Sequence, residues 1–147
     1  ATYDECLTIR RCTERPFILD ECIQDISQVI RAISDKAMDV INIKISKFGG
    51  LTQARKIRDL CAEMGICMVI EDTWGSDIAT AAIMHFAQST PPNLLFGTTD
   101  FNNYVAVQTA TGIPPLASGS VNFAGKIGLG IEPRLDSLGK PLLEMSI

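Results

Sequence analysis

The sequence predicts an α/β fold in which a parallel sheet forms part of a (β/α)8 barrel. Three observations lead there. Short β-rich runs begin at Pro16 (PFILDE), Val40 (VINIKIS), Cys67 (CMVIED) and Leu94 (LLFGTTD), with starts 24, 27 and 27 positions apart. Helical apolar patterns fill the gaps between them, as strand and crossover-helix units require. Every run ends in polar or charged residues: Asp20 and Glu21, Lys44 and Ser46, Glu71 and Asp72, Thr98 to Asp100. Both open doubly wound sheets and closed barrels place their sites at the carboxyl ends of strands, but reactive groups at four consecutive strand ends fit a barrel mouth better.

The elements follow in chain order. Thr2 and Glu5 have the spacing of a capping box and open a first helix. PFILDE is the first strand. Ile23, Ile26, Val29, Ile30 and Ile33 then share one helical face. VINIKIS alternates: Ile41, Ile43 and Ile45 point one way, and Asn42, Lys44 and Ser46 the other. Ala54, Ile57, Leu60, Cys61 and Met64 form the next helical stripe, which Gly65 stops. CMVIED is the third strand, and Ser76 followed by Asp77 opens the helix after it. LLFGTTD is the fourth strand. The glycine-rich stretch Gly119 to Gly130 lacks G-x-G-x-x-G at a strand-helix junction, and it reads as a loop. The mostly apolar runs FIL, CMVI and LLF suit strands buried on both faces.

Composition bounds the function. The 147 residues suffice for one domain, whereas a whole (β/α)8 barrel needs about 250. Acids outnumber bases, 17 to 13, and no stretch gathers Lys and Arg with aromatics, so nucleic acid is not expected as a partner. No apolar run approaches the ~20 residues of a membrane-spanning helix, and no membrane partner is expected. The first five residues hold two acids and nothing like a signal peptide, which favours the cytoplasm unless an upstream segment has been removed. Five cysteines without a C-x-x-C pair fit a reduced compartment, where they serve as small apolar side chains.

Several residues are candidates for chemistry. Asp20 and Glu21 place carboxylates at a strand end, where one can bind a hard divalent cation such as Mg2+ or orient a base; a solvated loop is the plain alternative. Lys44 lies on the polar face of its strand. Inside a barrel its ammonium is partly desolvated and its pKa is expected to fall, which suits a general acid or base. If that face meets solvent, the lysine simply reaches out to water. Lys47 has the opposite parity and reads as a supporting or surface charge. Trp74, beside Glu71 and Asp72, can hold a cationic group, although packing of a loop onto the barrel rim is the reading that its residues favour. His85 falls mid-helix and reads as a packed residue.

PFILDE, VINIKISKFGGLTQARKI, GICMVIEDTWGSDIATAAIMHFA and the closing GLGIEPRLDSLGKPL together resemble the C-terminal half of the mandelate racemase and muconate lactonizing enzyme group of the enolase superfamily. K-x-x-K-x-G-G-L, Lys44 to Leu51, is the most specific part of the resemblance. It implies about strands 5 to 8 of the barrel across residues 1–147, with the N-terminal capping domain and first barrel half outside this chain. It also implies that Asp20 is the third Mg2+ ligand and that two further ligands lie elsewhere. Lys44 becomes one of two opposed acid/base lysines in abstracting the proton α to a carboxylate, while Mg2+ stabilises the enediolate. A lysine at position 44, and Glu71 or Asp72 where mandelate racemase has histidine, place the chain in the lysine branch. EDTWGSDIA is most similar to that branch's racemases and dehydratases of proline derivatives, cis-3-hydroxyproline dehydratases among them. Asp72, Trp74 and Asp100 are then expected to bind substrate, Asp100 facing an ammonium group and Trp74 a ring. The implied partners are a small carboxylate or amino-acid substrate and a complementary N-terminal half. The competing expectation is an inactive half-barrel, a homo-oligomer associating through the sheet edges at Pro16 and Leu94.

Overall fold

The computed structural model describes residues 1–101, 104–122 and 127–145. Helix α1 (Tyr3–Arg10) starts at the expected capping box. The Glu5 N–H donates to Thr2 Oγ1 at 3.3 Å, and the Thr2 N–H donates to Glu5 Oε2 at 2.7 Å. Four units follow: β1 (Ile18–Leu19) and α2 (Ile26–Ser34), β2 (Val40–Lys44) and α3 (Leu51–Glu63), β3 (Cys67–Glu71) and α4 (Asp77–Gln88), then β4 (Leu95–Thr98). The strands pair in parallel in the order β1-β2-β3-β4. The order never reverses, α3 packs on β2 and β3, α4 packs on β3 and β4, and the two helices touch. Successive helices on one face of a sequentially ordered parallel sheet make an arc of barrel wall rather than a doubly wound sheet.

The alternation in VINIKIS divides the wall. Ile41 and Ile43 are fully buried beneath the helices together with Met68 and Ile70 of β3, and Ala54, Ile57 and Cys61 of α3 meet them from above. Each buried isoleucine or methionine here contributes about 1.5–3 kcal/mol by leaving water. Asn42 and Lys44 are also buried, on the opposite face.

Two expected patterns are corrected. PFILDE yields a strand of only two paired residues, because the Phe17 carbonyl already receives the N–H groups of Asp39 and Val40 and the chain turns at Asp20, whose carbonyl accepts from the Ile23 N–H. The isoleucine stripe of α2 is not all core. Ile23 precedes the helix and is fully buried, Val29 and Ala32 are buried, yet Ile26 and Ile30 are 43% and 54% exposed. The reason is position: α2 follows β1, the edge strand of the sheet, and only its Val29 and Ala32 side reaches the core.

Gly65 ends α3 with φ +69, a left-handed conformation that a side chain would strain. Ser76 caps α4, accepting from the Ile78 N–H. Beyond β4 the chain packs back on α4. Ile113, Val121, Leu129 and Ile131 cover Ala81 and Met84, and Ala110–Thr111 (β5) pairs antiparallel with Glu132–Pro133 (β6) before the single turn Leu135–Leu138 (α5). The Asp77 side chain, 3% exposed, ties this return: its Oδ2 accepts the N–H groups of Thr109 at 2.7 Å and Ala110 at 3.0 Å. Gly119 to Gly130 has the expected loop character where described, while 123–126 lie outside the described residues. His85 is a packed helix residue whose Nε2 lies 3.0 Å from the Leu129 carbonyl, so that nitrogen carries the proton.

The cysteines are unpaired, with Cys12 exposed and Cys61 buried. Burial pushes the Cys61 thiol from 9.0 to about 12. A raised folded-state pKa means that the stability from keeping this thiol neutral is complete below the unfolded value and is lost as pH climbs from about 9 towards 12. At neutral pH a maleimide is expected to label Cys12 quickly and Cys61 only on unfolding, which mass spectrometry of quenched samples checks. Equal labelling rates would contradict the buried placement. Among the described residues no helix is long and apolar enough to cross a membrane.

Candidate functional site

Parallel pairing carries three strand ends to one place. The register sets Lys44 opposite Glu71, and β1 delivers Asp20 just past its last paired residue, Leu19. Lys44 Nζ lies 3.0 Å from Asp20 Oδ2 and 3.6 Å from Glu71 Oε1, and it also donates to Glu21 Oε1. The lysine side chain is 9% exposed, so these carboxylates, not water, are its main surroundings.

This geometry corrects the expected depression of the Lys44 pKa. Burial does lower it, but the hydrogen bonds to Glu21 and Asp20 and their negative charges outweigh burial, and the net direction is upward. Lys44 is therefore an ammonium in this arrangement. The effect is mutual: burial raises Asp20, but Lys44 and Lys47 hold its carboxyl below the usual carboxylate range.

Lys47 is not a surface charge. Its side chain is 12% exposed, and its Nζ donates to the Asp20 carbonyl at 2.9 Å and to Asp20 Oδ1 at 3.2 Å. Asp20 is thus held by one lysine on each oxygen. As a hard oxygen donor at a strand end it fits one ligand position of a divalent cation, which takes six or more oxygens. Among the described residues no group of three or more His, Cys, Asp or Glu is arranged to hold a metal ion. A complete coordination sphere would have to draw on ligands beyond these.

The remaining candidates divide. Asp72 does not face Lys44. Its Oδ1 accepts from the Ser46 N–H at 3.1 Å, the Ser46 hydroxyl and the Thr73 N–H at 2.7 Å, so it pins the loop after β2 to the loop after β3. Trp74 is 66% exposed and meets Phe101 with ring centroids 5.5 Å apart. Gly75 leaves room for this pair, since a Cβ there would meet the Ala79 Cβ at 2.1 Å and the Phe101 ring at 3.3 Å. Asp100 follows β4 and lines a cavity of about 630 Å³ with Thr98, Thr99, Tyr104, Met84 and Gln88, a lining that includes neither Lys44 nor Asp20.

Glu71, rather than Asp72, takes the place beside Lys44. Its Oε1 accepts from Asn42 Nδ2 at 2.7 Å and its Oε2 from Thr99 Oγ1 at 2.9 Å. The signal was in the spacing: the 27-residue step that aligns Val40 with Cys67 also aligns Lys44 with Glu71.

A sequential parallel sheet with a buried lysine and carboxylates gathered at its carboxyl end is the wall and mouth of a (β/α)8 barrel. The chain matches the Enolase C-terminal domain-like family over residues 1–137 and belongs to it. It is 51% identical over 145 residues, 99% of this chain and 40% of the relative, to cis-3-hydroxy-L-proline dehydratase from Roseibium aggregatum. Among solved structures it is similar to a mandelate racemase/muconate lactonizing enzyme from Roseovarius nubinhibens ISM, with TM-score 0.94, 37% identity, and coverage of 100% of this chain and 40% of the other. It is also similar to an enolase-superfamily member from the same organism complexed with magnesium, with TM-score 0.91, 33% identity, and coverage of 97% and 39%. The chain therefore spans about 40% of the length of the relatives it matches and forms the C-terminal part of the barrel.

Proposed function

We propose that this chain supplies one side of the active site of a Mg2+-dependent enzyme that abstracts the proton α to a carboxylate, acting by dehydration on a 3-hydroxyproline-type substrate. The observation that carries this reading is the buried contact between Lys44 at the end of β2 and Asp20 at the end of β1. The 51% identity to a cis-3-hydroxy-L-proline dehydratase supports the choice of substrate and of dehydration over racemisation or cycloisomerisation.

In this reading Lys44 exchanges the α-proton through Nζ, and Asp20 would be one of the ligands of Mg2+, which would supply stabilisation of the negative charge developing on the substrate carboxylate. The other ligands come from outside this chain. Asp100 would meet the substrate ammonium and Trp74 the ring only if the loop after β4 brings Asp100 from its separate cavity towards Lys44, and Asp72 shapes the rim through Ser46. Lys44 must shed its proton before it can accept one, so substrate and cation have to change its surroundings from those described above.

The test is solvent exchange in D2O by the intact protein, with cis-3-hydroxyproline and proline as substrates, followed by NMR. Deuterium at the α-carbon, or loss of the 3-hydroxyl, is expected with Mg2+ and is expected to vanish when EDTA removes it and to return when it is restored. Turnover that persists at full rate in EDTA would rule out the metal assignment. A second reading has its own observation. β1 and β4 are edge strands bearing Ile18 at 44% and Phe96 at 62% exposure, which suits a half-barrel that associates without catalysing. It would be favoured by a stable oligomer with no exchange under any condition.

A further inference from the structure

Three carboxylates surround Lys44, and they are not equivalent. Glu21 is 73% exposed on the turn after β1. Asp20 is 34% exposed and shared with Lys47. Glu71 is 19% exposed and is the one whose own position is fixed from both sides by neutral donors, Asn42 from β2 and Thr99 from just past β4. Its carboxylate therefore spans three strands, with one oxygen tied to each neighbour.

Two details show that this clamp is built rather than incidental. Asn42 Oδ1 is buried with no hydrogen-bond partner among the described residues, so the amide gives its NH2 to Glu71 while its own oxygen goes unsatisfied. In addition, a register shift between Met68 and Val69 moves β4 by one residue, which sets Thr98 opposite Ile70 and brings Thr99 rather than Thr98 to Glu71. A carboxylate fixed in this way, 3.6 Å from Nζ, lies beyond hydrogen-bond length and within ion-pair range. It directs the ammonium without holding it.

We infer that Glu71, clamped by Asn42 and Thr99, is a positioning residue that sets the direction of the Lys44 amine towards the reacting carbon. This rests on the functional reading above, in which Lys44 moves the α-proton. Asp20, as the proposed metal ligand, and Glu21, largely in solvent, are less suited to direct the lysine through a turnover. A clamped Glu71 keeps its place whatever the other two bind.

The experiment compares Glu71→Gln, the double variant Asn42→Ala with Thr99→Val, and Lys44→Ala in the intact protein. It reads kcat, KM, α-proton exchange and, by calorimetry, Mg2+ affinity. Glu71→Gln is expected to lower kcat and exchange roughly tenfold to a hundredfold, the scale of a misplaced reacting group, with KM and Mg2+ affinity within about twofold of the parent. The double variant keeps the carboxylate and loses the clamp, and it is expected to fall between parent and Glu71→Gln. If Glu71→Gln fails to fold, the double variant carries the test alone. Parental kcat in Glu71→Gln, a loss confined to KM, or parental kcat in the double variant would overturn the assignment. Exchange that survives Lys44→Ala sinks the functional reading and this inference together; exchange lost there but intact in Glu71→Gln sinks only the inference.

Discussion

Replacing Lys44 by alanine in the intact protein is expected to lower kcat by about 10³-fold, within the range that a positioned acid/base group contributes. Alanine also removes the cation from among Asp20, Glu21 and Glu71, so some loss of stability should accompany it. Lys44→Arg separates the two effects. The guanidinium keeps the positive charge and its carboxylate partners but stays protonated at any working pH, so it cannot accept the α-proton. The arginine variant is expected to be nearly as inactive as the alanine variant while melting closer to the parent. Steady-state rates and thermal melts of both check this. An active arginine variant would reduce Lys44 to an electrostatic role.

The second large effect falls one residue away on the opposite face. Ile43 is fully buried beneath the helices, and Ile43→Ala removes atoms from a packed interior and leaves a cavity, at a cost of about 2–5 kcal/mol. The urea midpoint of the intact protein should drop accordingly, with kcat per folded molecule near the parental value. The pair forms a sharp contrast: at 44 the chemistry fails while most of the fold survives, and at 43 the fold weakens while the chemistry survives. A mild effect at Ile43 would mean that the wall repacks around the gap.

Much of this was legible in the sequence. Alternation in VINIKIS placed Ile43 under the helices and Lys44 on the opposite face, and the 24- and 27-residue repeat anticipated the parallel order. Capping chemistry located the starts of α1 and α4, because those bonds are local. What could not be read depended on neighbours. Ile30 carries the same apolar signal as Val29, yet it is 54% exposed on a helix that reaches the core through Val29 and Ala32. Lys44 was expected to be weakened as an ammonium by burial, but periodicity does not reveal how many carboxylates a turn such as Asp20–Glu21 will fold back towards it. Choosing between Glu71 and Asp72 required the register and not merely the end of the strand. The Thr99 contact depends on a one-residue bulge that no repeat length encodes.

The two edge strands make the assembly of this site a matter of mass action. Asp20, just past β1, and Lys44, at the end of β2, sit next to one edge of the sheet, so whatever pairs with β1 both completes the wall and closes around the chemistry. A pairing segment on the same polypeptide acts at an effective concentration on the order of millimolar. A segment on a separate chain acts only at its own concentration, and it stabilises the wall by RT ln(1 + [L]/Kd). Dilution would then switch off a divided barrel and leave a continuous one untouched.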